Sequence, residues 1–263
     1  METFLVYLAV GAMAGIVAGL FGVGGGLIIV PVLVYVFTQQ GLDPNVLVHM
    51  AIGTSLATIV LTSISSVYAH HRRGAVQWTI FWRLTPGIVI GALLGAMIAD
   101  WMSSILLRRF FAVFEWAVGI QLLLNIKANP TRVVPGRSGL FAVGGVIGSV
   151  SSIVGIGGGT LTVPFLVWCN TLMQKAVATS SACGLPIALA GALGYVVTGW
   201  SATGQLAWSV GYLYLPAFIG VALSSVLFAP LGAWLAHTLP GEKLKRLFGL
   251  FLLGLGSYMF LAT

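Results

Sequence analysis

Residues Gly22 to Pro31 read GVGGGLIIVP, and Gly155 to Pro164 read GIGGGTLTVP, a second copy with six identities in ten positions, 133 residues later. One glycine cluster would say little, but two with the same flanks indicate a duplicated chain. Apolar sequence lies on both sides of each cluster. Each therefore reads as a helix interrupted inside an apolar segment and restarted just before its proline.

The rest of the chain places those breaks in a membrane. Of 263 residues, 59% are hydrophobic and 6% charged, against about 25% charged in a soluble domain. Twelve Lys and Arg with five Asp and Glu cannot cover the surface of a soluble core of this length. Polar interruptions mark ten apolar segments: 3–21, 26–38, 49–69, 78–99, 104–126, 138–154, 159–172, 176–198, 207–235 and 247–262. The second and seventh directly follow the glycines and are shorter than the ~20 residues a crossing needs. The expected fold class is an all-α integral membrane protein of two inverted-topology repeats. Each has about five helical segments, including a short or broken helix at a GxGGG motif.

The duplication extends beyond the glycines. Ala51, Thr54 and Ser55 align with Ala176, Thr179 and Ser180; Gly74, Trp78 and Pro86 with Gly204, Trp208 and Pro216; Arg109 and Phe111 with Arg246 and Phe248. The expected organisation is a first membrane repeat over 1–127, a linker over 128–138 and a second repeat over 139–263. Loop 70–73 reads His-His-Arg-Arg, the linker region 127–138 carries Lys127, Arg132 and Arg137, and loop 236–246 carries Lys243, Lys245 and Arg246. Basic loops stay cytoplasmic, whereas the matching stretches 199–204 and the C-terminal end carry no charge. Equivalent loops with opposite charge habits place the halves upside down to one another. Arg108 and Arg109 fall near the predicted outer end of their helix, where snorkelling accommodates them. The start Met1-Glu2 lacks a basic leader, and 3–21 has a repeat mate at 139–154, so no cleaved signal is expected.

Paired GxGGGxxxVP motifs, each followed by Thr-Ser (Thr54-Ser55 and Thr179-Ser180), in a small duplicated membrane chain resemble the TauE/SafE family of sulfite and organosulfonate transporters. The resemblance covers essentially the whole chain. It implies a secondary transporter of sulfur-containing anions such as sulfite or sulfoacetate in a cell inner membrane, with exporters and importers both among relatives. Export is the expected direction; import of thiosulfate or a sulfonate, or an anion channel with the same site, are the alternatives.

The glycines themselves supply a chemistry. Irregular backbone at membrane depth is tolerated only where it is buried in protein or faces a wet cavity. Successive glycines can turn several N–H groups towards one point, and a helix restarting there adds the positive end of its dipole. Gly22, Gly24, Gly25 and Gly26, opposed by Gly155, Gly157, Gly158 and Gly159, could hold a small oxyanion without a lysine. Hydroxyls of Thr54, Ser55, Thr179, Ser180 and Ser181 could donate to its oxygens. Close helix packing and back-bonding of those hydroxyls are the competing structural readings.

Arg83, five residues into its segment, could attract the anion or snorkel to the interface. Glu115 could carry a coupling proton or pair with Arg108. His49 reads as an interfacial polar residue, and Cys169 and Cys183 as buried free thiols. Trp78, Trp82, Trp101, Trp200 and Trp208 fall at segment ends, as an interfacial belt requires. The carboxylates Glu2, Asp43, Asp100, Glu115 and Glu242 are scattered, with no catalytic grouping or metal-ligand spacing. No enzyme activity, metal, cofactor or nucleic acid is expected; the partners expected are a small anion and the bilayer, with oligomeric state open.

Overall fold

Residues 2–21, 24–124, 132–202, 206–238 and 241–261 are described by the computed structural model, and they form ten helices and one two-stranded hairpin. The first half contains α1 (Glu2–Phe21), α2 (Gly26–Gln39), α3 (Leu47–Arg72), α4 (Trp78–Trp101) and α5 (Ser104–Leu123). The second contains α6 (Arg137–Val154), α7 (Gly159–Trp168), α8 (Met173–Thr198), the hairpin β1 (Ser209–Val210) and β2 (Leu213–Tyr214), α9 (Leu215–Thr238) and α10 (Gly241–Leu261). Six helices, α1, α3, α4, α6, α8 and α9, are long and apolar enough to cross a membrane. The two helices that follow the glycines have only 14 and 10 residues. A multi-pass helical membrane protein is thus what the chain builds.

Packing runs between the halves more than within them. The first helix of each half lies along the fourth helix of the other: α1 on α9, and α6 on α4. Likewise α3 packs on α8, α9 and α2, while α8 packs on α3, α4 and α7, and α5 pairs with α10. Exchanging α1–α5 with α6–α10 maps this set of contacts onto itself. Glycine makes the closest pairs possible, because small residues let membrane helices approach backbone to backbone. A Cβ on Gly87, Gly91 or Gly95 of α4 would strike backbone of α6, and one on Gly144 or Gly148 of α6 would strike α4. Gly11 and Gly15 of α1, 133 residues before Gly144 and Gly148, meet Val221 and Ser225 of α9 in the same way.

The buried centre is α3 and α8. Leu47–Ile59 of α3 is continuously buried, so these helices are the axis on which the outer ones lean. Two corrections concern the second half. The segment 207–235 is not one helix: residues 209–214 turn back as the hairpin, with Gly211 at φ 55°, before α9 starts at Leu215. The connection from α8 to α9 (199–214) is consequently longer than that from α3 to α4 (73–77), and Trp78 has no counterpart in Trp208, which sits at φ 66° in the hairpin region. Gln77 and Tyr214, each immediately before its helix, are the positions that correspond. The last two residues of the stretch read as linker, Arg137 and Ser138, are already helical. Gly22, Lys127, Gly204 and the side chains of 236–245 lie outside the described residues.

Candidate functional site

Both glycine clusters break the chain, and they do so alike. Gly25 caps α2 at φ 79°, ψ −8°, and Gly158 caps α7 at φ 78°, ψ −8°. This left-handed conformation is open to glycine at no steric cost. It reverses the chain tightly enough for a new helix to start within one residue. The first bonds of α2 run from Ile28 and Ile29 to Gly25 O, and those of α7 from Leu161 and Thr162 to Gly158 O. The N–H groups ahead of them face back into the loop, as at any helix start. The restart comes at Gly26 and Gly159, five residues before Pro31 and Pro164, rather than just ahead of the prolines.

The two breaks touch. A Cβ on Gly24 would lie 3.0 Å from Gly157 Cα, and one on Gly26 would collide with Gly155 O. At Gly24 and Gly26 no side chain would fit, so there backbone meets backbone. Ser55 fastens the contact from α3, its hydroxyl donating to Gly155 O at 2.9 Å.

Beside this contact is a small cavity. It is lined by Gly24 and Gly157 from the two loops, Ala18 from α1, Thr62, Ser63 and Ser66 from α3, and Ser181 from α8. Its lining is uncharged. The space open to a water's centre is about 10 Å³, enough for roughly one water. An oxyanion of four or five heavy atoms needs more, so the cavity is too tight for one in this conformation. Thr62 Oγ1 lies 2.8 Å from Ser225 Oγ of α9, and Ser181 Oγ donates to Val177 O at 3.0 Å.

Of the residues singled out in the sequence, Gly24 and Gly157 line the cavity, while Gly25, Gly26, Gly155, Gly158 and Gly159 shape the loops around it. Thr54 and Thr179 have a different employment. Thr54 Oγ1 accepts from the Tyr214 N–H, and Thr179 Oγ1 accepts from the Gln77 N–H, both at 3.0 Å. Each threonine thereby ties its own half to the start of the other half's fourth helix. Ser180 is fully buried, and its hydroxyl has no hydrogen-bond partner.

Arg83 is elsewhere. It is exposed on α4 and lines an open groove of about 630 Å³ with Arg137 and Ser138 at the start of α6. Thr62, Ser63 and Ser66, which do line the cavity, went unnoticed in the sequence because the second half has Ile187, Ala188 and Gly191 at the corresponding places. Their spacing along one face of α3, at i, i+1 and i+4, was the available signal.

Two further residues differ from expectation. Glu115 does not pair with Arg108: it is fully buried on the inward stripe of α5, and neither carboxyl oxygen has a partner. The Arg108 guanidinium lies 5.8 Å from the centre of the Tyr258 ring instead. His49 is buried, not interfacial. Its Nε2 lies 2.9 Å from Ala99 O and 3.1 Å from Met102 O, and its ring stacks on Tyr212 at 5.0 Å. Tyr212 in turn donates to Asp100 Oδ1 at 3.0 Å, so the hairpin is latched onto the ends of α3 and α4. Burial first, and the bond to Asp100 second, hold the Tyr212 hydroxyl above the usual tyrosine range. Among the described residues no three His, Cys, Asp or Glu side chains gather as metal ligands.

Comparison with known proteins agrees with this architecture. A family model described as "Sulfite exporter TauE/SafE" matches residues 7–259. A "Probable membrane transporter protein" of Haemophilus influenzae is 36% identical over 263 residues, 99% of this chain and 100% of the relative. Another of Methanocaldococcus jannaschii is 26% identical over 97% of this chain and 94% of its own length. The Bacillus subtilis "Probable membrane transporter protein YunE" is 29% identical over 75% of this chain and 80% of its own length. No solved structure matches.

Proposed function

The chain belongs to the sulfite exporter TauE/SafE family of membrane transporters, and we propose that it moves a small sulfur-containing anion, sulfite or an organosulfonate such as sulfoacetate, by alternating access. The anion would sit where the two glycine loops meet, held by loop N–H groups and by the hydroxyls of Thr62, Ser63, Ser66 and Ser181. Gly25, Gly26, Gly155, Gly158 and Gly159 would set the shape of those loops. Ser55, Thr54, Thr179 and Ser180 would support the site from the second layer, and Arg83 would draw anions to the surface from its groove.

One observation carries this reading: a small, uncharged, hydroxyl-lined cavity at the contact of two matching helix breaks. Neutral donors bind an anion without fixing it, and a carrier has to let go of its cargo. The direction proposed is export. The basic stretches 70–73, 127–138 and 236–246 against the bare stretch 199–204 support a cytoplasmic placement of the former and an inverted relation of the repeats 1–127 and 139–263. The self-mapping of the helix contacts is what such a relation would give. The membrane would be the cell inner membrane.

Purified protein in liposomes, loaded with sulfite or sulfoacetate, tests this. Saturable flux that a second sulfonate competes for is expected; flux of no sulfur anion in either direction defeats the reading. Flux that rises linearly with concentration would favour a channel.

A further inference from the structure

The cavity has a counterpart that is shut. Under the correspondence that pairs Thr54 with Thr179 and Gly25 with Gly158, Ser181 maps onto Leu56, Thr62 onto Ile187, Ser66 onto Gly191 and Ala18 onto Ser151. Where the first half-site offers hydroxyls, its mate offers two bulky apolar side chains, both fully buried. They occupy the space the correspondence marks out. Leu56 Cδ1 lies 2.9 Å from where a Cβ on Gly191 would sit, with Ser152 Oγ beside it at 3.0 Å from the same point. Ile187 Cδ1 presses on the Cβ position of Gly158, with Thr162 Oγ1 at 3.4 Å from it.

The hydroxyls behind those side chains are the telling part. Ser151, Ser152, Thr162 and Ser180 are fully buried, and none of their hydroxyl oxygens has a hydrogen-bond partner. Buried polar groups in native interiors are nearly always paired, so four unpaired hydroxyls, two of them beside Leu56 and Ile187, call for an explanation. We propose that Leu56 and Ile187 plug a second anion site, a twin of the open-lined cavity reached from the opposite face of the membrane, whose donors are the hydroxyls of Ser152 and Thr162 with Ser151 and Ser180 behind them. This rests on the transporter reading. It takes the same class of ligand, a small oxyanion held by neutral donors, because no charged side chain is among these residues. The path along α3 through Ser63 and Ser66 leads towards His70–Arg73, and the plugged path along α8 through Gly191 leads towards 199–202. When one path is hydroxyl-lined and the other stoppered, the molecule is accessible on one side only, which alternating access demands.

Cysteine labelling with a membrane-impermeant maleimide tests the plug. Cys169 and Cys183 are first replaced by alanine, and Arg73→Cys marks the basic face. Ser66→Cys is expected to label from the same face as Arg73→Cys. Ser152→Cys is expected to label only from the other face, slowly, and several-fold faster when Ile187→Ala or Leu56→Ala is added, with sulfoacetate slowing the reaction. Ile187→Val serves where alanine impairs folding, and labelling after denaturation counts the thiols. The proposal falls if Ser152→Cys labels from the Arg73→Cys face, labels equally fast in every background, or stays unreactive until denatured. Two-sided labelling as expected, without flux of any anion, would instead overturn the transporter reading and leave the twin site standing.

Discussion

Replacing Gly25 by alanine isolates what the first break costs and why glycine is there. At φ 79° a residue with a Cβ loses about 1–2 kcal/mol from the left-handed conformation alone. The new methyl would lie 2.9 Å from Ala14 O and 3.0 Å from Ala14 Cβ. The nearer of these is backbone of α1, which is locked on α9, so the overlap adds the ~1–3 kcal/mol typical of overpacking. The expected total is about 2–5 kcal/mol, or a fall in Tm of roughly 4–20 °C for a chain of this size. Gly41 and Gly74 supply the control. They have φ 69° and 63° with nothing within 4 Å of an added Cβ, so Gly41→Ala and Gly74→Ala carry only the conformational part. Gly26→Ala supplies the converse, since its φ is ordinary but its Cβ collides with Gly155 O. Thermal unfolding in one detergent, with all four variants side by side, reads the series. If Gly25→Ala melts no lower than Gly41→Ala, the loop is not packed against α1 and the reasoning fails.

Thr54→Val and Thr179→Val should cost similar amounts, about 0.5–1.5 kcal/mol each, because each leaves one part-buried backbone N–H, of Tyr214 or Gln77, without its acceptor; a large cost for one and none for the other would contradict the matched roles, as read by Tm. Gly91→Leu should abolish stable protein by driving a side chain into Gly145 backbone, seen as loss of the monodisperse peak on size exclusion. Glu115→Gln should leave the melting temperature within a few degrees, since neither carboxyl oxygen has a partner to lose; unfolding of this variant would mean an ionic partner exists. Tyr212→Phe should cost about 1.5–3 kcal/mol by removing the bond to Asp100. Because the folded protein holds the Tyr212 proton above the ordinary tyrosine range, that contribution is whole below about pH 10 and declines as pH rises further. A Tm-against-pH series on wild type and Tyr212→Phe should therefore converge at high pH.

The duplicated glycines were legible because glycine is the residue that crosses into left-handed backbone freely. Two clusters with the same flanks announced two equivalent turns, and Gly25 and Gly158 make them with φ and ψ within one degree of each other. The apolar runs gave the helices for the same reason that a bilayer demands them. Hydropathy could not see the hairpin, since Ser209–Tyr214 carries no charge to interrupt the run and its reversal depends on Gly211 and on the latch of Tyr212 to Asp100. The cavity was half legible. Gly24 and Gly157 followed from the repeat, but repetition pointed to Thr54 and Thr179, which hold the halves together, and away from Thr62, Ser63 and Ser66, which have no counterparts. Symmetry in a sequence marks what the two halves share, whereas a path open on one side is made by what they do not share.

Locating a bound anion tests the account most directly. Selenite, an electron-dense analogue of sulfite, can be soaked into crystals and found by its anomalous scattering. The expected peak lies in the cavity beside the Gly24–Gly157 contact, within hydrogen-bond reach of Thr62, Ser63 or Ser181 and away from every lysine and arginine. A peak in the groove of Arg83 and Arg137, with none at the glycine loops, would show that the anion is held by cationic side chains and that the central claim is wrong.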